Sequence, residues 1–217
     1  MRRRLIFADR AEAGTLLADE MANLGLVAPL VLALPRGGVP VGAAIASRLR
    51  APLDVVLVRK LGAPDEPELA IGAVADGEAP EIVLNDQLVA ALGVSSDYIE
   101  AEAVHELGLI EERRRGYAGL RPNIAPVGRA AIVVDDGVAT GMTMQAALRS
   151  VRRLGPSRLV AATPVASQDA AALLRDEADD VVCLSAPGRF LSVGSFYRSF
   201  QQVSEDEVAR LLREAAT

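Results

Sequence analysis

The stretch from Ala130 to Thr143 constrains the fold more than any other part of the chain. Five apolar residues, Ala130 to Val134, run into two carboxylates, Asp135 and Asp136. A glycine-bracketed loop, Gly137-Val138-Ala139-Thr140-Gly141, comes next, and a helical pattern begins at about Met142. That order spells a strand, a tight loop and a helix N-terminus, where the first N–H groups lack intrahelical partners and the helix dipole favours an anion. Phosphate is the natural guest. Gly137 and Gly141 let the main chain approach it closely, and the Thr140 and Thr143 hydroxyls can donate to its oxygens. Carboxylates beside a phosphate cradle would repel it, so Asp135 and Asp136 need another role, either accepting hydrogen bonds from sugar hydroxyls or holding a hydrated divalent metal. The ligand implied is a sugar phosphate. The plainer reading of the same residues is a solvated strand-to-helix turn with an Asp cap.

Other phosphate-binding patterns fit poorly. A Walker loop needs one more residue between its glycines than separates Gly137 from Gly141, and a lysine where Met142 stands. No Gly-x-Gly-x-x-Gly follows a first strand, which argues against a dinucleotide fingerprint. A receiver-type aspartate pocket would use an acidic pair but would have no need of the threonine-bearing loop.

Short apolar runs alternate with helical patterns along the rest of the chain. Helical spacing covers Asp9 to Leu24, Val39 to Leu49, Asn85 to Gly116 with a break near Gly93 to Ser96, Met142 to Leu154, and Gln168 to Asp176. Strands are expected at Val31 to Leu34, Leu53 to Val58, Ile71 to Ala75, Ile82 to Leu84, Ile132 to Val134, Leu159 to Thr163 and Val181 to Leu184, with Arg59 to Pro67 as a loop. Such alternation predicts an α/β fold, a mostly parallel sheet with helices on both faces. Ligands of these sheets bind beyond the carboxyl ends of the strands, where Pro35-Arg36-Gly37-Gly38, Arg59-Lys60 and Asp135-Asp136 all fall.

Two of those segments add anion-binding chemistry. Arg36-Gly37-Gly38 joins a strand to a helix and exposes bare N–H groups beside a cation, although alone it would pass for a turn. Arg59 and Lys60 leave a buried strand as an adjacent cation pair, placed to neutralise a second anion, or else are solvated surface charges. Elsewhere the charges read as structural. Arg113-Arg114-Arg115 after Glu111-Glu112 suits a salt-bridged helix face, and His105, the single histidine, lies on that helix far from every motif. No Cys or His cluster offers an all-protein metal site, and Cys183 lies in an apolar run that suits a buried, inert thiol.

Composition narrows the partners. With 217 residues, 51% of them hydrophobic, the chain can bury one sizeable core, and a single domain spanning 1–217 is expected. A net charge of −6 and only 3% aromatic residues argue against a nucleic-acid surface. Met1-Arg2-Arg3-Arg4 before Leu5-Ile6-Phe7 resembles a signal only briefly, because Asp9 and Arg10 end the apolar stretch, and no run reaches membrane-spanning length. A cytoplasmic protein without membrane partners is the expectation.

The run from Asp135 through Thr143 resembles the phosphoribosyl-diphosphate (PRPP) motif of type I phosphoribosyltransferases. In that family the acidic pair contacts the ribose hydroxyls and the loop wraps the 5′-phosphate. The resemblance therefore implies substrate contacts from Asp135, Asp136, Gly137, Val138, Ala139, Thr140, Gly141 and Thr143. Arg36-Gly37-Gly38 looks like the family's pyrophosphate loop, in which some members carry a cis peptide. Arg59-Lys60-Leu61-Gly62 resembles the start of its mobile catalytic loop, notably in adenine-type members. The resemblance spans the chain and matches a prokaryotic phosphoribosyltransferase-like group with Pro-Arg-Gly-Gly, Arg-Lys-x-Gly and Val-Asp-Asp-Gly-x-Ala-Thr-Gly elements, whose acceptor it leaves open.

The likeness implies a cytoplasmic glycosyltransferase of nucleotide metabolism that moves ribose 5-phosphate from PRPP to a nitrogenous base. It would use Mg²⁺ held through water at Asp135 and Asp136, with Arg36, Arg59 and Lys60 at the leaving pyrophosphate. A homodimer is common in the family. The alternative is a regulator that senses PRPP or a nucleotide without turnover. Ala139 occupies the position where 6-oxopurine enzymes often carry an acid, which weakens hypoxanthine or guanine as acceptor. A small hood is expected from about 185–200, with an N-terminal contribution; within it Phe190 could stack on a base, while Phe196 and Tyr197 fit core packing better.

Overall fold

The computed structural model describes residues 5–75, 80–120 and 124–215, so the Met1 to Arg4 segment lies outside the described residues. Its centre is a five-stranded sheet in the order β2-β1-β6-β7-β8, built from β1 (Leu30–Ala33), β2 (Leu53–Val55), β6 (Ala130–Val134), β7 (Arg158–Val165) and β8 (Asp180–Ser185). Every pairing is parallel, with Val31 opposite both Leu53 and Ile132, and Ile132 opposite Val160.

Period-two alternation explains why these strands read as continuous apolar runs. Val31, Ala33, Ile132 and Val134 pack on one face with Leu17 and Met21 of α1 (Arg10–Met21) and Val41 and Ile45 of α2 (Gly38–Leu49). Leu30, Leu32, Ala131 and Val133 pack on the other with Met144, Leu148 and Val151 of α5 (Met142–Arg153) and Leu174 of α6 (Gln168–Glu177). Both faces are covered, as a parallel sheet requires.

A second sheet departs from expectation. β3 (Val58–Ala63), β4 (Glu66–Ala75) and β5 (Glu81–Leu84) form an antiparallel three-stranded sheet. The expected single strand from Leu53 to Val58 stops at Val55, and Val58 opens the next sheet. The expected loop from Arg59 to Pro67 is instead most of a β-hairpin. Charged residues and prolines suggested a loop, but the edge strand β3 tolerates Arg59 and Lys60, with Lys60 opposite Ala73 in regular register, and Pro67 stands at the start of β4, outside the Gly72–Ala75 stretch that pairs with β5. α4 (Ser96–Gly116) flanks this hairpin, preceded by α3 (Asp86–Leu92), with the break at Gly93 as expected.

One further helix, α7 (Glu205–Ala215), was not expected from the sequence. Its signals are nonetheless local: Ser204 caps it by accepting from the Glu207 N–H, three acids fill its first turn, and Val208 and Leu212 are buried one turn apart. None of the described helices is long and apolar enough to cross a membrane.

Candidate functional site

Because β1 and β6 are neighbours, the loops leaving their carboxyl ends meet. The Leu34 N–H donates to the Val134 carbonyl at 2.8 Å, and the chain then turns through Pro35-Arg36, whose peptide bond is cis, into α2. Two glycines permit the closeness. A Cβ on Gly38 would lie 2.6 Å from the Val134 oxygen, and one on Gly37 only 2.1 Å from Asp136 Oδ2. The acidic pair and the Arg36-Gly37-Gly38 loop are thus one contiguous surface.

The acidic loop is braced from behind. The Val138 N–H donates to Val165 O at 2.8 Å, Ser167 N–H donates to Val138 O at 2.9 Å, and Ser167 Oγ donates to Ala139 O at 2.7 Å. Val138 is buried and anchors the loop, while Ala139 and Thr140 are exposed and Thr143 half-buried. Gly141 takes φ +91°, a left-handed conformation that a side chain would strain, and so turns the chain into α5 with its first N–H groups facing outward.

Asp135 and Asp136 are both half-buried. Burial, then the neighbouring Asp136 charge, pushes the Asp135 carboxyl well above the usual carboxylate range; the Asp136 N–H on Asp135 Oδ1 and the charges of Arg10 and Lys60 act the other way. Asp136 is also raised by burial, and Arg10 offsets that. The Arg10 Nε donates to Asp136 Oδ2 at 2.7 Å, and both side chains are nearly withdrawn from solvent. Tyr197 Oη donates to the Asp136 carbonyl at 2.6 Å, and burial followed by the Asp136 charge raises its own pKa strongly.

The three expected cations do not act alike. Among the described residues Arg36 and Lys60 carry no ion pair, and Lys60 lies close enough to Asp135 for its charge to favour the ionised carboxylate. Arg59, expected to work beside Lys60, is instead paired with Glu106, a mostly buried residue of α4. Adjacent residues on a strand point to opposite faces, so the alternation that buries Leu61 also splits the cation pair.

A family profile described as a phosphoribosyl transferase domain matches residues 8–200. The chain belongs to the phosphoribosyl transferase family. Two Mycobacterium tuberculosis proteins, named "Putative phosphoribosyl transferase MT0597" (strain CDC 1551 / Oshkosh) and "Putative phosphoribosyl transferase Rv0571c" (strain H37Rv), are each 46% identical over 212 residues, or 97% of this chain. The chain spans about half the length of these relatives, 47% in each case. A crystal structure of TT1426 from Thermus thermophilus superposes with a TM-score of 0.82 at 46% identity, covering 97% of this chain and 99% of that one. A Neisseria gonorrhoeae protein, crystallised with bound ppGpp, shares the fold with a TM-score of 0.50 at 14% identity, covering 100% of this chain and 99% of that one.

In this member of the phosphoribosyl transferase family the C-terminal segment crosses the acidic loop. Phe7 and Tyr197 form a parallel bridge, and Val193 packs on Gly137, where a Cβ would come within 2.3 Å of Val193 Cγ1. Phe196 and Tyr197 are buried, in keeping with core packing. Phe190, the expected stacking platform, stacks on Phe196 with ring centroids 5.6 Å apart, so one of its faces is taken. His105 is exposed, and the Cys183 thiol is held above its ordinary pKa by burial. Groups of three or more Cys, His or acidic side chains suited to a metal are absent among the described residues. Two adjacent carboxylates do suit a hydrated Mg²⁺, which keeps most of its ligands as water and substrate oxygens.

Sequence reasoning missed Arg10 and Phe200. Arg10 stands next to an N-cap, and nothing local marks it; its partners lie far along the chain at Asp136, Phe200 and Gln201.

Proposed function

We propose that this protein is a PRPP-dependent phosphoribosyltransferase acting on a nitrogenous base. The observation that carries the reading is the contact between the Gly37-Gly38 turn and Asp136, which sets an anion-binding turn against a carboxylate pair and a helix N-terminus. The N–H groups at the start of α5 and the Thr140 and Thr143 hydroxyls hold the 5′-phosphate. Asp135 and Asp136 accept hydrogen bonds from the ribose hydroxyls, and Arg36, Lys60 and the Gly37 N–H face the pyrophosphate, the Gly38 N–H being taken by the Leu34 carbonyl at 3.0 Å. In the reaction the C1–O bond to pyrophosphate breaks and a bond from C1 to the base nitrogen forms, with loss of that nitrogen's proton. Cation positioning and exclusion of water then carry most of the catalysis.

Mg²⁺ would be held through water, chiefly at Asp135 because Asp136 already bears Arg10, and it supplies positive charge to the departing anion. The β3–β4 hairpin excludes solvent, with Arg59 and Glu106 anchoring it on α4. The segment after β8, with Phe7, serves as the hood.

The test is pyrophosphate release from PRPP and Mg²⁺ across purines, pyrimidines and small heterocycles. Release with at least one base supports transfer. Tight PRPP binding without release from any of them points to a sensor instead.

A further inference from the structure

We infer that Arg10 is a positioning residue for sugar recognition, a part of the site that lies outside the sequence motif. The inference rests on the proposed sugar-phosphate reading of the acidic pair. Asp136 is held at three points: its N–H by Asp135 Oδ1, its carbonyl by the Tyr197 hydroxyl, and its carboxylate by Arg10. Of these only Arg10 fixes the orientation of the carboxylate itself. The guanidinium is fixed in turn, because Nη1 donates to the Gln201 carbonyl at 2.8 Å and its carbon lies 3.9 Å from the centre of the Phe200 ring.

This pairing divides the carboxylate. Arg10 takes Oδ2, and no other side chain among the described residues donates to the carboxylate. With Gly37 against the same side chain, the carboxylate has little room to swing. Asp136 therefore presents one preset acceptor to a hydroxyl donor, and its charge is compensated before any ligand arrives. A lysine in place of Arg10 would keep the charge without the fork that spans Asp136 and Gln201. The arrangement also ties sugar recognition to α1 and to residues 200–201, elements distant in sequence from the motif.

Calorimetric titration of the full chain with ribose 5-phosphate and, separately, with inorganic phosphate tests the inference. Loss of a charge-assisted hydrogen bond that orients an acceptor should weaken ribose 5-phosphate binding roughly tenfold in Arg10→Met, with inorganic phosphate affinity unchanged. Arg10→Lys should fall between Arg10→Met and the wild type. Phe200→Leu leaves the ion pair in place while removing the ring beneath it; it should give a smaller loss in the same direction, and it decides the matter if Arg10→Met does not fold. An unchanged ratio of the two affinities in these variants, or an equal loss for both ligands, overturns the role of Arg10. A wild-type protein that binds ribose 5-phosphate no better than inorganic phosphate overturns the sugar-site reading itself.

Discussion

The acidic loop and the β3–β4 hairpin supply the two halves of the proposed site, and they are built in opposite ways. The loop from Asp135 to Thr143 is braced by β7, Ser167 and Val193, and it approaches Gly37 more closely than any side chain would allow. The hairpin is exposed from Pro64 to Glu68 and is tied to α4 by the Arg59–Glu106 pair and by the Tyr98 hydroxyl on the Gly62 carbonyl. A site that grips a sugar phosphate gains from preorganisation, whereas one that must admit and then enclose a substrate needs a part with fewer ties. On the proposed reading, the rigid half recognises and the hairpin half encloses.

Breaking the rigid half should have the largest consequence. Asp135→Asn with Asp136→Asn is expected to lower PRPP affinity by more than about a hundredfold, since two charge-assisted acceptors are lost; calorimetry measures it. Gly37→Ala comes next. Its Cβ would force the Asp136 carboxylate aside, so PRPP binding should weaken by roughly tenfold or more, with about 1–3 kcal/mol of stability lost in denaturant titration. The hairpin half should respond differently to its two cations. Lys60→Ala is expected to cut kcat/KM by about tenfold with the melting temperature unchanged. Arg59→Ala should act mainly on hairpin order, seen as faster amide exchange across β3, with a Tm change of only about 1–2 °C because the pair is partly exposed. Equal effects of the two on kcat/KM would erase the distinction drawn between them.

The smallest effect concerns pH. Burial beside Asp136 raises the folded-state pKa of Asp135 above its unfolded value, so folding favours the protonated form. That contribution is fully present at pH below the unfolded pKa and is lost as pH rises through the raised folded value. Asp135→Asn should therefore flatten this part of the Tm profile and raise Tm at neutral pH. A melting curve series across pH, with and without the substitution, checks the sign.

Much of the parallel sheet was legible because burial on both faces leaves a simple mark: β1 and β6 are runs without a polar residue, and each is followed by glycines where a helix begins. The acidic loop was legible for the same reason, since strand, turn and helix start are all local. The hairpin was not. Lys60 and Pro67 are tolerated where a strand meets solvent, so composition there reports exposure rather than backbone shape. Arg10 was hidden for a different reason: its meaning arises only when α1, Asp136 and the Phe200 segment come together, a tertiary fact with no periodic or motif signature. The separation of Arg59 from Lys60 lay within reach of the alternation rule, had the segment been read as a strand.

The most direct measurement is a crystal structure of the protein soaked with ribose 5-phosphate. The phosphate is predicted to lie against the N–H groups between Ala139 and Thr143, with sugar hydroxyls donating to Asp135 and Asp136. A phosphate bound elsewhere, or an empty loop with the acidic pair turned wholly toward Arg10, would contradict the sugar-phosphate site.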